Sequence, residues 1–321
     1  MGNRLSSKNA ENGEIRKNDL NFDDLMTGLD SAMIEGQEVT SGLLSLPDEL
    51  VELILLRVPA DWLKKYGRLV CKAFAERLWP QSDFWRRKCV YDQVKLPLAL
   101  LIRNDLKDQI NFCRICLKRP FDRNFLLNPS GEEKLEHWIV HEGGNGLRVE
   151  CPPAGCSIQG FDRCFATSYQ TCSKMQIIDL HQEGCAATIL DELKPTIVAS
   201  EWYAARFDCG SEYELNVMLC KSYRKHHRSS GRNRHSDSSY SFDILQQKTT
   251  GKLTTQQWVG GEWQKVSLIF HNYPKGVRYV VFQSVGKDTQ FWAGHYGSKM
   301  AKASLVATFE SIADQDSEML N

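Results

Sequence analysis

The spacing of apolar residues changes period once along this chain, and that change restricts the fold to two unlike parts. Leu50, Leu53, Ile54 and Val58 recur every three to four residues, the spacing of one helical face. Pro47, Asp48 and Glu49 suit the first turn of that helix, and Pro59 stops it. Asp61 can cap a second helix, and Leu63, Leu69, Val70, Phe74 and Leu78 carry the apolar stripe onward. Past about residue 124 the apolar runs become short, as at 137–140, 175–180, 213–219, 263–270 and 277–283. They are rich in Trp, Tyr, Val and Ile, several alternate with a period of two, and Gly, Pro, Asn and Asp separate them. Many short strands with turn signals between them predict an antiparallel sandwich rather than a parallel α/β sheet.

The fold class is therefore α+β and multidomain. Residues 1–42 are rich in Asn, Ser, Glu, Gly and Asp, a composition that buries too little surface to offset chain entropy. They read as a disordered arm with a short helix near 24–33. A helical domain follows over 43–95, a linker over 96–123, the sandwich over 124–312 and a tail over 313–321. Within the sandwich, 221–240 reads as a solvated basic loop: 221–236 holds six Lys or Arg and three His with almost nothing apolar.

Forty basic and forty acidic residues cancel, so no overall field draws the molecule to nucleic acid or an acidic membrane. No run approaches the roughly 18 to 20 apolar residues of a membrane span, and the N-terminus lacks the apolar core of a secretory signal. This predicts a protein of the cytosol or nucleus. The eleven cysteines are odd in number and several sit in apolar runs, as Cys71 does beside Val70; they read as reduced, buried small residues. Cys113 and Cys116 have the spacing of half a zinc site, with Cys151, Cys156 and Cys164 beyond. A second tight Cys/His pair is missing, so no metal or other cofactor is expected. There is no nucleophile elbow, phosphate loop or paired-His motif. Asp179, Asp191 and Asp288 could serve a glycosidase only if two of them lie at the required separation.

Leu46-Pro47-Asp-Glu-Leu50, Ile54-Leu55-Leu-Arg-Val58-Pro59, then Leu69-Val70-Cys71-Lys-Ala-Phe74 and Phe84-Trp85-Arg86 together resemble the F-box. That motif is the three-helix unit through which ubiquitin-ligase receptors bind the Skp adaptor and, through it, cullin and RING-box protein. A helical unit of this size leaves an apolar face for a partner, and the resemblance makes Leu46, Pro47, Leu50, Ile54 and Leu55 its anchors. Tyr66 and Gly67 depart from the leucine-rich helix usual there.

The remainder resembles the F-box-associated domain of the F-box-only subgroup that recognises N-linked glycoproteins. The matching stretches include Phe165-Ala-Thr-Ser-Tyr169, Cys172-Ser-Lys174, Ile178-Asp179-Leu180, Glu201-Trp202-Tyr203 and Asp288-Thr-Gln-Phe291-Trp292-Ala-Gly294. The resemblance implies a jelly-roll-like sandwich whose loops at one end grip the inner chitobiose of an N-glycan. Sugar faces pack their C–H groups on aromatic rings while the hydroxyls need polar partners at the edges. It assigns Phe291, Trp292 and Tyr169 as the rings, with Asp179 and Lys174 as polar contacts. Some binders carry a lysine after the aromatic pair, an aromatic two residues past Tyr169 and a tryptophan near the loop end; here stand Ala293, Thr171 and His295.

What the resemblance implies is a non-catalytic receptor that delivers misfolded, retrotranslocated glycoproteins to an SCF-type ligase. The alternative is an F-box receptor that reads a protein surface and has lost sugar affinity. Met1-Gly2-Asn-Arg-Leu-Ser6 also fits the pattern for N-myristoylation of Gly2. One such chain gives marginal, reversible attachment, so the expected location is cytoplasmic with weak association at the cytosolic face of endomembranes. Intact-mass measurement of protein from eukaryotic cells should find the added acyl chain, and an unmodified or acetylated N-terminus removes that anchor.

Overall fold

A computed structural model describes residues 46–79, 83–153, 162–227, 238–259 and 261–309. The N-terminal arm, the helix expected at 24–33, Gly2, Cys156 and the tail at 313–321 lie outside the described residues. Backbone contacts divide the chain into two units, Met1–Val51 and Glu52–Asn321. In the first, the amides of Leu50 and Val51 bond the carbonyl of Pro47, which starts the helix Asp48–Arg57 with both acids in its first turn. Leu46, Pro47 and Leu50 are exposed.

The second unit continues that helix with Leu53 and Ile54 exposed but Leu55 buried. Leu55 was assigned to the adaptor face on sequence; its side chain instead belongs to the core. One residue is about 100° of helical turn, enough to move Leu55 off the face that Ile54 occupies. The next helical run starts at Ala60 behind Pro59, so Asp61 sits in the first turn rather than capping it. Its middle, Leu63–Gly67, is a π-turn. Gly67 is buried there, and a Cβ on it would lie 2.7 Å from Leu78 Cδ1, which accounts for glycine in place of a larger residue. Extended Cys71 breaks the run and caps Lys72–Arg77, its Sγ accepting from the Phe74 amide. The helix Asp83–Tyr91 closes the group with Phe84, Trp85 and Cys89 buried, and the Trp85 indole donates to the Leu78 carbonyl at 3.1 Å. The three expected helices are thus present, the middle one broken.

The linker carries structure of its own: Leu98–Ile102, a 3₁₀ turn Asn104–Gln109 and the helix Phe112–Lys118. Phe112, Cys113, Ile115 and Cys116 are buried, so the last of these is an amphipathic helix packed on Asp83–Tyr91.

Among the described residues, eleven strands form two sheets. One has the order β1 (Ile139–His141), β4 (Cys172–Asp179), β10 (Tyr279–Asp288), β6 (Ser211–His227), β7 (Ser238–Thr249), with β8 (Leu253–Thr255) also on β6. The other runs β2 (Arg148–Glu150), β3 (Cys164–Ala166), β11 (Lys299–Thr308), β5 (Thr196–Ala204), β9 (Gln264–Phe270). Every strand pairing is antiparallel, as the period-two runs predict. Half of the expected basic loop at 221–240 is hairpin: β6 and β7 pair as far as His227 and Ser238, and 228–237 lie outside the described residues. Charge concealed a strand there because its side chains face solvent. Among the described residues no helix is long and apolar enough to cross a membrane.

Lys174 of β4 and Glu201 of β5 join the two sheets. Both are fully buried, with Nζ 2.6 Å from Oε1. The second carboxylate oxygen accepts from Tyr213 at 2.7 Å and Ser284 at 2.5 Å. The ammonium also lies 3.6 Å from the centre of the Trp138 ring and 4.7 Å from that of Phe165. Burial pushes the Lys174 pKa down, opposed by Glu201. The sequence-based role of Lys174 as a sugar contact is therefore overturned: no part of it reaches the surface. Removing one partner strands the other charge. Glu201→Gln should lower stability in chemical denaturation by about 3–5 kcal/mol, while Lys174→Met with Glu201→Leu should cost less than either single change. A double variant less stable than both singles would show that the pair adds net stability of its own.

Candidate functional site

The loops at one end of the sandwich are stitched together by backbone bonds. Loop 167–171 between β3 and β4 meets loop 289–298 between β10 and β11: Thr167 exchanges bonds with Ser298 and Gly297, and the Asp288 amide donates to the Ser168 carbonyl at 2.9 Å. Loop 142–147 joins through Asn145, whose side-chain oxygen accepts from the Gly294 amide at 2.8 Å and whose own amide donates to Ser168 Oγ. Loop 205–210 joins through the Thr289 amide, which donates to the Gly210 carbonyl.

Asp288 is the residue on which the aromatic loop turns. Its carboxylate is almost wholly buried and accepts the amides of Phe291 at 2.6 Å and Trp292 at 3.2 Å. Phe291 sits at φ +59°, a left-handed conformation that costs an L-residue about 1 kcal/mol or more. The Asp288 bonds hold it there. Gly294 follows at φ +123°, where a Cβ would meet the Tyr296 ring at 2.7 Å. The loop consequently presents Phe291 at 68% and Trp292 at 41% exposure.

The rings meet in two edge-to-face pairs. Tyr169 lies 4.9 Å from Phe291 at 69°, and Trp292 lies 5.8 Å from Tyr296 at 87°. A groove of about 350 Å³ beside the first pair is lined by Tyr169, Gln170, Thr171, Lys287 and Phe291. A larger cleft, about 500 Å³, opens at the far end of the sandwich between the linker and Phe309. Its lining includes the edge-to-face pair Phe121 and Phe309 and the ion pair of Lys95 with Asp122, and it stands apart from the residues assigned from sequence.

Of the residues assigned from sequence, Tyr169 and Phe291 meet, and Trp292 follows Phe291 in the same loop with Tyr296 as its ring partner. Asp179 does not join them: it ends β4 opposite Tyr279, seven residues and roughly 23 Å of strand from the loop end, and its Oδ1 accepts from the Gln182 amide. Asp179 and Asp288 also flank β10 at opposite ends, too far apart for the roughly 5–10 Å of a glycosidase pair. Asp191 is held below the usual carboxylate range chiefly by its bond to Arg278. Cys113 is buried and its thiol pushed up to about 12; among the described residues no group of His, Cys, Asp and Glu has metal-binding geometry.

The structure adds Lys299, which sequence reading left out, and gives His295 and Asp288 structural roles. Lys299, fully buried, bonds the His295 carbonyl at 2.7 Å and Glu150 at 2.7 Å. His295, where a tryptophan was expected, bonds the Asn145 carbonyl through Nε2 at 3.1 Å. Burial holds its pKa below the usual value, and the Asn145 bond opposes that shift. The signal for Asp288 was available: an aspartate three residues before Phe291 in a loop accepts backbone amides as a capping residue does. Asp288→Ala should therefore speed hydrogen exchange at the Phe291 and Trp292 amides and cost about 1–3 kcal/mol. Asp288→Asn, which keeps one acceptor, should fall between. Unchanged exchange in both variants would remove Asp288 from its role.

Residues 116–235 and 238–307 match the F-box associated region. Human F-box only protein 6 is 33% identical over 278 residues, 85% of this chain and 86% of that protein. Human F-box only protein 44 is 33% identical over 267 residues, 81% and 94% of the two chains. F-box only protein 2 of Bos taurus is 32% identical over 278 residues, 84% and 86%. Among solved structures, a galactotriose complex of TmCBM61 matches 58% of this chain and 99% of its own at 14% identity, with a TM-score of 0.35. With the family region spanning more than half of the sequence and these relatives matched over most of their lengths, the chain belongs to the F-box only proteins with an F-box-associated region, a non-catalytic family of SCF substrate receptors.

Proposed function

We propose that this receptor captures N-glycosylated proteins by the chitobiose core of the glycan and presents them, misfolded and retrotranslocated, for ubiquitination. The observation that carries the reading is the braced loop that exposes Phe291 and Trp292, with Tyr169 against Phe291 beside an open groove. Exposed rings offer the flat apolar faces that sugar C–H groups pack against, and Gln170, Thr171 and Lys287 line the adjoining groove with polar groups for hydroxyls and acetamides. A groove preformed in the free protein lowers the ordering cost of binding.

On the adaptor side, Leu46, Pro47 and Leu50 of the first unit and Ile54 of the second are exposed. They supply the apolar anchors for the Skp adaptor, through which cullin and RING-box protein follow. Leu53, 46% exposed, joins them in place of Leu55. The receptor catalyses nothing itself; it raises the local concentration of its target near the conjugating enzyme. Such a protein works in the cytoplasm and, given a lipidated Gly2, at the cytosolic face of endomembranes.

The second reading, a receptor for a protein surface, is favoured by Ala293, which is exposed and carries no polar group beyond the aromatic pair. Binding of chitobiose to full-length protein separates the two. Trp292→Ala should weaken it by about tenfold or more with the fold intact. Absence of binding by wild type would leave the protein-surface reading. Pro47→Ala with Ile54→Ala should abolish recovery of the Skp adaptor and cullin while leaving chitobiose binding in place; undiminished recovery from a folded double variant would overturn the adaptor face.

A further inference from the structure

A second exposed aromatic pair lies along the same end of the sandwich. Phe207 in the β5–β6 loop and Trp258 in the β8–β9 loop are 58% and 60% exposed, with ring centres 5.6 Å apart at 69°. The Trp258 amide donates to the Phe207 carbonyl at 2.8 Å and the Gln257 side chain to the Asp208 carbonyl at 2.9 Å, which lock the two loops together. Trp258 stands at φ +69°, so backbone strain is spent to hold a large apolar side chain in water. Core packing does not explain an exposed, strained tryptophan, whereas a ligand does.

The neighbours of this pair provide the other half of sugar chemistry. Arg206 and Asp208 form a bidentate ion pair, both bonds 2.8 Å, with side chains 34% and 40% exposed. A guanidinium fixed against a carboxylate presents a donor and an acceptor in one rigid plane, which one sugar hydroxyl can engage from both sides. The Arg206 guanidinium also lies 4.8 Å from the centre of the Tyr296 ring, and Tyr296 is the partner of Trp292. The second pair is thus continuous with the first through Tyr296 and Arg206. Its net charge is zero, as a neutral ligand requires.

We infer that Phe207 and Trp258, edged by Arg206 and Asp208, form a second sugar subsite. It takes residues of the same oligosaccharide that lie outward from the disaccharide held at Trp292. The inference rests on the glycan reading above and extends it. Two linked subsites make the outer contact intramolecular once the inner sugar is bound, so the receptor grades glycans by length.

The test is calorimetric titration of full-length wild type, Trp258→Ala, Trp258→Phe and Trp292→Ala with two probes, chitobiose and a branched high-mannose N-glycan. Trp258→Ala should lose about tenfold in affinity for the branched glycan and nothing for chitobiose. Trp258→Phe should restore most of the loss, and Trp292→Ala should lose both probes. Equal affinity of Trp258→Ala and wild type for the branched glycan would overturn the subsite. A loss by Trp258→Ala seen only with a glycopeptide, and not with the free glycan, would overturn it too and make polypeptide the occupant. Failure of wild type to bind either probe would sink the glycan reading itself, an outcome distinct from a subsite failure.

Discussion

A lysine ammonium with no exposed surface survives inside a sandwich core only when a carboxylate and further donors meet it, and the Lys174–Glu201 pair organises this domain accordingly. Glu201 accepts from β4, β6 and β10 at once, so four strands of two sheets must arrive in a single register. A slip of one residue in β4 would exchange its faces, turning Met175 away from Met218 and Val281 toward Glu201 and Lys174 away from its carboxylate. The same register sets the loop end. Lys174 faces Ser284 across the β4–β10 ladder; five residues before the first stands Tyr169, and four after the second stands Asp288. Both walls of the aromatic site are measured from one ion pair.

The division into helices and sandwich was legible in the periodicity, and the loop aromatics through the family resemblance that names them. What was illegible depended on partners distant in the chain. Lys174 reads as a polar contact because lysine is rarely buried, and only Glu201, 27 residues on, reverses that expectation. Its place in β4, with Cys172, Gln176 and Ile178 on the same inward face, was the available clue. Leu55 and Ile54 are equally apolar, and one helical step sends them to opposite environments. In the β6–β7 hairpin the basic residues from Lys221 to His226 are exposed on paired strands, so charge density there reports solvent contact rather than loop conformation.

Strain at the loop end follows a consistent logic. Phe291 and Trp258 both adopt positive φ, and each is held by hydrogen bonds from a neighbouring segment, Asp288 in one case and the Phe207 carbonyl in the other. A loop relaxed in the free state would have to be ordered on binding, at a cost of about 0.5–1.5 kcal/mol for each immobilised side chain. Fixing the rings beforehand transfers that cost to folding, where the buried Asp288 and Lys299 bonds offset it.

A receptor that only tethers its target must also keep the target at a set distance from the ligase, and the linker shows how a stiff connection arises within the second unit. The helix Phe112–Lys118 packs its buried face on Asp83–Tyr91, and Cys116 and Arg119 bond the side chain and carbonyl of Asp92. Asp92 in turn pairs with buried Lys88, which bonds the Leu56 carbonyl at the end of the first helix. On the other side Arg114 reaches His181, Arg123 bonds the Glu183 carbonyl, and the Asp122 amide bonds the Ala307 carbonyl of β11. A flexible linker would spread the captured protein over a volume that grows with its length and dilute it accordingly. Replacing that linker with a packed helix trades reach for a fixed geometry, and the helix can be short because its buried face already has a partner.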